Sequence, residues 1–479
     1  MVMGELAQQT QVLVIGAGPG GYAAAFRAAD LGLEVTLVDT AERPGGVCLF
    51  RGCIPSKTLL HLTELLHDAR RAGPMGITFG EPAIDLAALR SWKTRVIDRL
   101  AGGLVSLCRQ RGVQMLRGHA EFVSSSQVRL HDAEVSGIKF RHCILATGSR
   151  PSPLPGVPET AGGRVMTSTG ALALAEVPAS LLVIGGGYVG LELGSVYASL
   201  GSRVVLVELG DRLLPGADPD LVEPLQRRLE GLFAALHFNT RVTAIDETET
   251  AVTATLASAG ESRREPFERV LVAIGRQPNS RRLGLENTRV RLDARGFVVV
   301  DAQQRTDDPR IFAIGDVVGG AMLAHKAIHE GKTAAEVAAG RPAAFDARAI
   351  PAVVYTDPQI AWCGLTETAA RRENREVRIA RFPWKFSGRA LTMDAPEGLT
   401  KILIDPQSER ILGVGMVGRS AEALIAEGVL AVEMGALAQD LALTVHAHPT
   451  LSETLEEADA LLLGSATHIL SPRAKPPAA

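Results

Sequence analysis

Short apolar runs broken by glycine-rich turns set the plan of this chain. Val12-Leu13-Val14-Ile15 is a continuous apolar run of the kind that forms a strand buried on both faces. Gly16-Ala17-Gly18-Pro19-Gly20-Gly21 follows, then an alanine-rich stretch that predicts a helix. A second run, Val35-Thr36-Leu37-Val38, ends at Asp39. The same order returns further on: Leu181 to Ile184, then Gly185-Gly186-Gly187-Tyr188-Val189-Gly190, a helix, and Val204 to Val207 ending at Glu208. In both copies the acid lies 23 residues after the first glycine (16 to 39, 185 to 208). Three more apolar runs end in glycine: Cys143 to Gly148, Val270 to Gly275 and Ile311 to Gly315. A basic residue and a proline follow the first two (Arg150-Pro151, Arg276 with Pro278), which predicts strands at which the chain leaves one domain for the next. Asp316 follows the third and is expected at a strand end.

The pattern changes after about Asp346. Strands are predicted at 401–404 and 411–417, with a helix near 420–434 and no glycine-rich loop. The proline-rich tail after Leu470 predicts disorder. The expected fold class is α/β, with two Rossmann-like βαβ dinucleotide-binding units and a C-terminal α+β domain.

Composition narrows the function classes. The 479 residues, 46% of them hydrophobic, provide for about three domains with large cores. A net charge of −3 supplies no basic field for nucleic acid or an anionic membrane. Five cysteines in a chain of this length fit a reducing compartment. The apolar stretch Val12 to Phe26 lacks a basic start and is broken by glycines and Pro19, so it does not read as a signal peptide. With no long apolar run elsewhere, a cytoplasmic protein without membrane insertion is expected.

In each unit the glycines allow a tight turn, close approach of backbone to a pyrophosphate, and close helix-to-strand packing. Asp39 and Glu208 are placed to accept from a ribose hydroxyl, and Glu208 would repel the 2′-phosphate of NADP, although Arg203 and Arg212 are nearby. Two such units imply two dinucleotides. Between them lie Cys48 and Cys53, close enough for their side chains to meet if Leu49-Phe50-Arg51-Gly52 curls into a turn. Pro55 suits the first turn of a helix continued by leucines 59, 60, 62, 65 and 66, which puts Cys53 at a positive helix end that favours thiolate, with Lys57 one turn on. Zinc is the competing use of two thiols, but Cys108, Cys143 and Cys363 are isolated, and His61 and His67 read as helix packing. A redox pair is expected and no metal. Late in the chain, His446-Ala447-His448-Pro449-Thr450-Leu451-Ser452-Glu453 sets a histidine beside a carboxylate, the usual form of a general base, with Thr450 or Ser452 capping the next helix.

Together, Gly16 to Gly21, Cys48 to Lys57, Gly185 to Glu192, Ile314-Gly315-Asp316, Met322-Leu323-Ala324-His325 and His446 to Glu453 resemble the flavin-dependent pyridine-nucleotide disulfide oxidoreductases, and among them the members that oxidise dihydrolipoamide. The resemblance covers nearly the whole chain. It implies an FAD-binding domain beginning at 1–150, an NAD-binding domain at 151–278, a central domain at 279–345 that completes the FAD site, and a dimer-interface domain at 346–479. It makes Cys48 the thiol that exchanges with substrate and Cys53 the thiol that faces the flavin. Lys57 would pair with Glu192 near that flavin, and Tyr188 would lie where nicotinamide docks. His448, oriented by Glu453, would be the acid-base and reach into the partner's site in a homodimer. FAD contacts are expected at Gly16, Gly18, Gly21, Asp39, Gly46, Lys57, Gly118, Ala120, Thr147, Gly148, Asp316, Met322, Leu323, Ala324 and His325. NAD contacts are expected at Gly185, Gly187, Tyr188, Gly190, Glu192, Glu208, Val242 and Gly275. The implied partner is a lipoyl domain of a 2-oxo-acid dehydrogenase acyltransferase or a glycine-cleavage H protein.

Other members of that family are the rivals. Mercuric reductase relatives carry a C-terminal cysteine pair, and this chain has no cysteine after Cys363. Glutathione reductase relatives use arginines for NADP where Glu208 stands, and soluble transhydrogenase relatives lack one of the two thiols. A non-catalytic docking subunit would have lost at least one of Cys48, Cys53, Lys57, His448 and Glu453, and all are present. Val47, Phe50 and Arg51 depart from the family's usual Thr, Asn and Val, and Asp39 stands where Glu is commoner; neither change removes a group the chemistry needs.

Overall fold

The computed structural model describes residues 7–157 and 163–470, so the disorder expected after Leu470 lies outside the described residues. The first apolar run extends further back than its apolar core, forming strand β1 (Ala7–Ile15). Helix α1 (Pro19–Asp30) starts on the glycine loop, and β2 (Val35–Asp39) returns parallel to β1. Gly137–Leu145 pairs with the other side of β1, and Ile311–Ala313 adds beyond it, both parallel. This sheet has seven strands. Val12, Leu13, Val14, Leu37 and Ile144 are fully buried, as a parallel sheet covered on both faces requires. The run from Ile311 is a strand only to Ala313, and Asp316 sits in the short 3-10 turn after it (Gly315–Val318).

The second glycine loop opens a like unit. Ser180–Ile184 lies between Arg203–Val207 and Arg269–Val272, all parallel, in a five-stranded sheet. Strands Ser149–Pro151 and Arg276–Pro278 pair as the antiparallel crossing between the two units, where the proline signals stood. The last body is a five-stranded antiparallel sheet, Ala352–Val354, Gln359–Gly364, Ile411–Gly418, Leu399–Ile404 and Arg378–Pro383 in spatial order, with helices Ala421–Met434 and Glu453–Leu463 packed on it. The architecture is mixed α/β with two Rossmann-like sheets.

Lys401 ties this last body to the second unit. Its ammonium is fully buried, 2.7 Å from Asp218, 2.7 Å from Asp220 and 3.2 Å from Glu367. Replacing Lys401 with Met leaves the carboxylates facing one another without a counter-charge. We expect Lys401→Met to cost about 3–5 kcal/mol, as breaking a buried ion pair does, read as a fall in the urea midpoint. An unchanged midpoint would mean that the carboxylates escape to solvent.

Candidate active site

Cys48 lies in the short helix α2 (Gly46–Arg51), so the expected turn is helical, and Cys53 is the first residue of α3 (Cys53–Arg71). The two are present as thiols, with the Cys48 thiol hydrogen-bonded to Cys53. That bond separates their acidities. It lowers Cys53 to about 7 against the effect of burial, with Lys57 assisting. The same bond and burial drive Cys48 up, so Cys53 is the more acidic of the two thiols. Lys57 is held in turn: its Nζ lies 3.0 and 2.8 Å from the two oxygens of Glu192 and 4.4 Å from the centre of the Tyr355 ring. Glu192 is buried on helix Tyr188–Ser199 and also accepts from the Tyr355 amide at 3.0 Å.

These groups open onto one cleft of about 1440 Å³, counting its space open to solvent. Gly16, Gly18, Asp39, Gly46, Thr147, Gly148, Tyr188, Asp316, Met322 and Ala324 share its wall with Cys48, Cys53, Lys57 and Glu192. Each glycine of the first loop has its own reason. Gly16 has φ +101°, and a Cβ there would meet the Ala146 carbonyl oxygen at 2.3 Å. A Cβ on Gly21 would strike the Gly16 oxygen at 1.8 Å. A Cβ on Gly18 would meet nothing within 4 Å, so the protein itself does not require glycine there. The space it keeps open faces the cleft at a helix start, as a bound pyrophosphate requires. Gly185, Gly190 and Gly187 repeat the three cases: φ +111° with the Ala273 oxygen at 2.4 Å, the Gly185 oxygen at 2.1 Å, and nothing within 4 Å. Both loops therefore fit a dinucleotide.

The acids repeat as well. Asp39 accepts from the Ala17 and Ala41 amides at 2.6 and 2.8 Å, and Glu208 from the Gly186 and Gly210 amides at 2.6 and 2.7 Å. Arg203 turns to Glu265 and Arg212 to the Pro215 carbonyl, so neither forms an ion pair with Glu208.

Other expected contacts stand apart from the cleft. Ala120 is buried on strand His119–Ser124 at the edge of the first sheet, Gly118 donates its amide to the Asp39 carbonyl at 2.9 Å, and Val242 packs under the second sheet. Leu323 lies between cleft residues without lining it, and the His325 ring is 2.8 Å from the Pro351 carbonyl. Gly275 sits at the crossing, where its carbonyl accepts from the Ser152 amide. Ser452 gives no side-chain cap; Glu453 instead accepts from the Thr450 amide at 2.6 Å and meets His448 Nδ1 at 2.7 Å. Thr450 spends its hydroxyl on the Ala447 carbonyl. The His448 side chain is 71% exposed, and it does not line the cleft of its own chain.

Comparison with known proteins agrees with this geometry. Residues 10–331 match the pyridine nucleotide-disulphide oxidoreductase family and residues 350–459 its dimerisation domain. The chain belongs to this family. It is 43% identical over 468 residues to the dihydrolipoyl dehydrogenase of Vibrio parahaemolyticus, covering 97% of this chain and 98% of that one. To dihydrolipoyl dehydrogenase 2 of Haloarcula marismortui it is 45% identical over 473 residues, covering 98% and 100%. Among solved structures, LpdA from Mycobacterium tuberculosis superposes with a TM-score of 0.88 at 28% identity, covering 95% of this chain and 99% of that one. The flavoprotein disulfide reductase RclA from Escherichia coli gives 0.83 at 27%, covering 94% and 100%.

The protein is thus an oxidoreductase, and its family uses a flavin and NAD(P)H. The dimerisation-domain match supports a homodimer. No helix among the described residues is long and apolar enough to cross a membrane. Within the family's cleft the structure adds groups that sequence spacing did not single out. Arg276 donates from Nε to Ser149 Oγ at 2.6 Å, and Ser149 donates to Asp316. Tyr355, from the last body, does not line the cleft but backs the Lys57–Glu192 pair from behind, touching both. Arg276 had a local signal in its place after Gly275; Tyr355 had none, because only the tertiary fold brings it to Glu192.

Proposed function

We propose that this protein is a dihydrolipoamide dehydrogenase, which oxidises protein-bound dihydrolipoamide to lipoamide and reduces NAD+ to NADH. The observation that carries this is the thiol pair of Cys48 in α2 and Cys53 at the head of α3, beside the Lys57–Glu192 pair, in a chain with two dinucleotide loops. Full-length relatives bearing that name support it. FAD would be held by Gly16, Gly18, Asp39, Gly46, Thr147, Gly148 and Asp316, and NAD by the second loop with Tyr188 and Glu208. The four-part division drawn from the sequence, ending in a dimer-interface domain, is part of this reading.

With Nδ1 engaged by Glu453, His448 presents Nε2 as the free base. In the dimer it serves the partner's cleft. There it takes the proton from one substrate thiol, whose sulfur attacks Cys48 and breaks the Cys48–Cys53 bond, with Cys53 leaving as thiolate. The second substrate thiol then attacks the first substrate sulfur and displaces Cys48, closing the lipoamide disulfide; its proton goes to Cys48, and the first proton stays on His448 until it passes to solvent. Two electrons now reside on the thiol pair. Lys57 stabilises the negative charge on Cys53. Bound FAD supplies the two-electron carrier between this pair and the nicotinamide.

The test is steady-state turnover by the purified flavoprotein with dihydrolipoamide and NAD+, against glutathione disulfide and mercuric ion, each with NADH and NADPH. Dihydrolipoamide oxidation at least ~100-fold above the alternatives supports the proposal, a margin of the order that a fitted site gives. Preference for glutathione disulfide or mercuric ion would replace it. The physiological partner on this reading is a lipoyl domain of a 2-oxo-acid dehydrogenase complex or of a glycine-cleavage H protein. Nicotinamide choice rests on Glu208. Glu208→Arg is expected to move the NAD/NADP ratio of kcat/KM at least roughly tenfold towards NADP, by removing a repulsive charge and adding a phosphate partner. An unchanged ratio would mean that the ribose lies elsewhere.

A further inference from the structure

The segment that carries His448 leaves helix 438–442 and crosses open surface before helix Glu453–Leu463 begins. Leu443 is 72% exposed and Val445 94%. Two side chains in it turn inward: Leu451, after His448, packs into the core of the last body, and His446 lies before it. The His446 ring is 6% exposed, with Nε2 2.8 Å from Glu427 Oε1 on helix Ala421–Met434. Its Nδ1 lies 2.9 Å from the Thr444 carbonyl oxygen and 3.3 Å from Glu456 Oε2 on helix Glu453–Leu463. Both ring nitrogens therefore face acceptors only, and satisfying both requires a proton on each. Burial opposes the charged ring, but the hydrogen bond and charge of Glu427, the Thr444 carbonyl and the Glu456 charge together outweigh it and hold the pKa above the ordinary histidine value. Asp459, the other acid near Glu427, is fully buried, and neither of its oxygens has a hydrogen-bond partner among the described residues. Burial and Glu427 push it to about 8, so at neutral pH it is protonated and leaves Glu427 to His446.

From this geometry we propose that His446 is a positioning residue for His448: clamped between the two helices, it fixes the exposed segment on which the base, two residues on, is presented to the active site. The inference rests on the reading of His448 as the acid-base. The ring bridges helix Ala421–Met434 to helix Glu453–Leu463, which also carries Glu453, the partner of His448 Nδ1. Base and orienter are thus referenced to one frame. Loss of the clamp leaves the Glu453 bond in place but frees the chain before His448, and a displacement of about 1 Å at a reacting group costs up to roughly 100-fold. Deprotonation of His446 has the same sense. The clamp is complete below its raised pKa and loses one hydrogen bond as pH climbs through it.

The test uses the dimeric flavoprotein and two assays. Dihydrolipoamide-to-NAD+ turnover needs His448, whereas NADH oxidation by ferricyanide draws electrons from the reduced flavin and bypasses both base and thiols. His446→Phe is expected to lower kcat in the first roughly 10- to 100-fold and leave the second unchanged. His446→Gln, whose amide still donates towards Glu427, is expected to recover part of the loss. Glu427→Gln removes the charge that keeps the ring protonated, so the alkaline fall in kcat should begin at lower pH than in the parent. Parent turnover and an unmoved pH profile overturn the proposal. So does a parallel fall in both assays with loss of flavin or dimer, which would make His446 a core residue only. His448→Ala in the same assays separates the two layers: if it retains turnover, the acid-base reading falls and this inference falls with it, whereas an inactive His448→Ala beside an unaffected His446→Phe overturns the inference alone.

Discussion

Cys48→Ser is expected to abolish dihydrolipoamide oxidation, with a fall of at least about 10³-fold, while the protein stays yellow. A serine oxygen neither forms nor accepts a disulfide link, so the exchange step loses the atom at which substrate sulfur attacks. Flavin retention follows from the cradle, which is built from the Gly16, Gly18 and Gly46 backbone and not from the Cys48 sulfur. The change is nearly isosteric in a short helix whose anchor, the Gly45 amide on the Ala17 carbonyl at 2.8 Å, is untouched. Ferricyanide reduction by NADH persists. The hydroxyl still donates to Cys53 and Lys57 still favours its thiolate, so alkylation of the remaining thiol should rise with pH at a lower pH than for an ordinary cysteine. Normal lipoamide turnover in this variant would remove the thiol pair from the relay.

His448→Ala is expected to cut kcat for dihydrolipoamide and NAD+ by roughly 10²- to 10⁴-fold, the range typical of a lost general base. The fold should not suffer, since the side chain is 71% exposed and its one hydrogen bond is to Glu453. Burial raises the Glu453 carboxyl, but the Thr450 amide and His448 hold it below its ordinary value. It therefore stays ionised and keeps the proton on Nδ1 throughout the working range. Glu453→Gln should then cause a smaller loss than His448→Ala, because the amide still holds the ring while its charge is gone. The residual rate should climb with pH as the substrate thiol ionises unaided. A near-parent rate in His448→Ala would take the acid-base role away from this residue.

Much of the site was legible because its signals are local. A glycine loop between an apolar strand and a small-residue helix specifies its own backbone, and the repeat at 185–208 shows the same solution twice. Cys53, Pro55 and Lys57 announce a helix start within five residues. The Lys57–Glu192 pair, 135 positions apart, came from resemblance and not from any local pattern, and so did the placement of His448 opposite the thiols. What was not legible lies where three bodies meet. Tyr355 reaches Glu192, and Lys401 meets Asp218, Asp220 and Glu367, through tertiary packing alone. The expected Ser452 cap fails for a local reason: Glu453 already takes the Thr450 amide, and Thr450 and Ser452 hydrogen-bond each other. Ala120, an expected flavin contact, turns its side chain to the core and is 3% exposed, so such a contact would fall to its backbone.

On this reading Cys48 and Cys53 carry two electrons from a substrate dithiol towards NAD+. This transfer is tested most directly by titrating the oxidised flavoprotein anaerobically with dihydrolipoamide, alkylating an aliquot for mass spectrometry, and then adding NAD+ to the remainder. One equivalent of dithiol is expected to perturb the flavin spectrum and make Cys48 and Cys53 alkylatable together. NAD+ should then return the spectrum to its oxidised form with one NADH per two electrons taken up. A yellow protein whose spectrum and thiols are unmoved by excess dihydrolipoamide would contradict it.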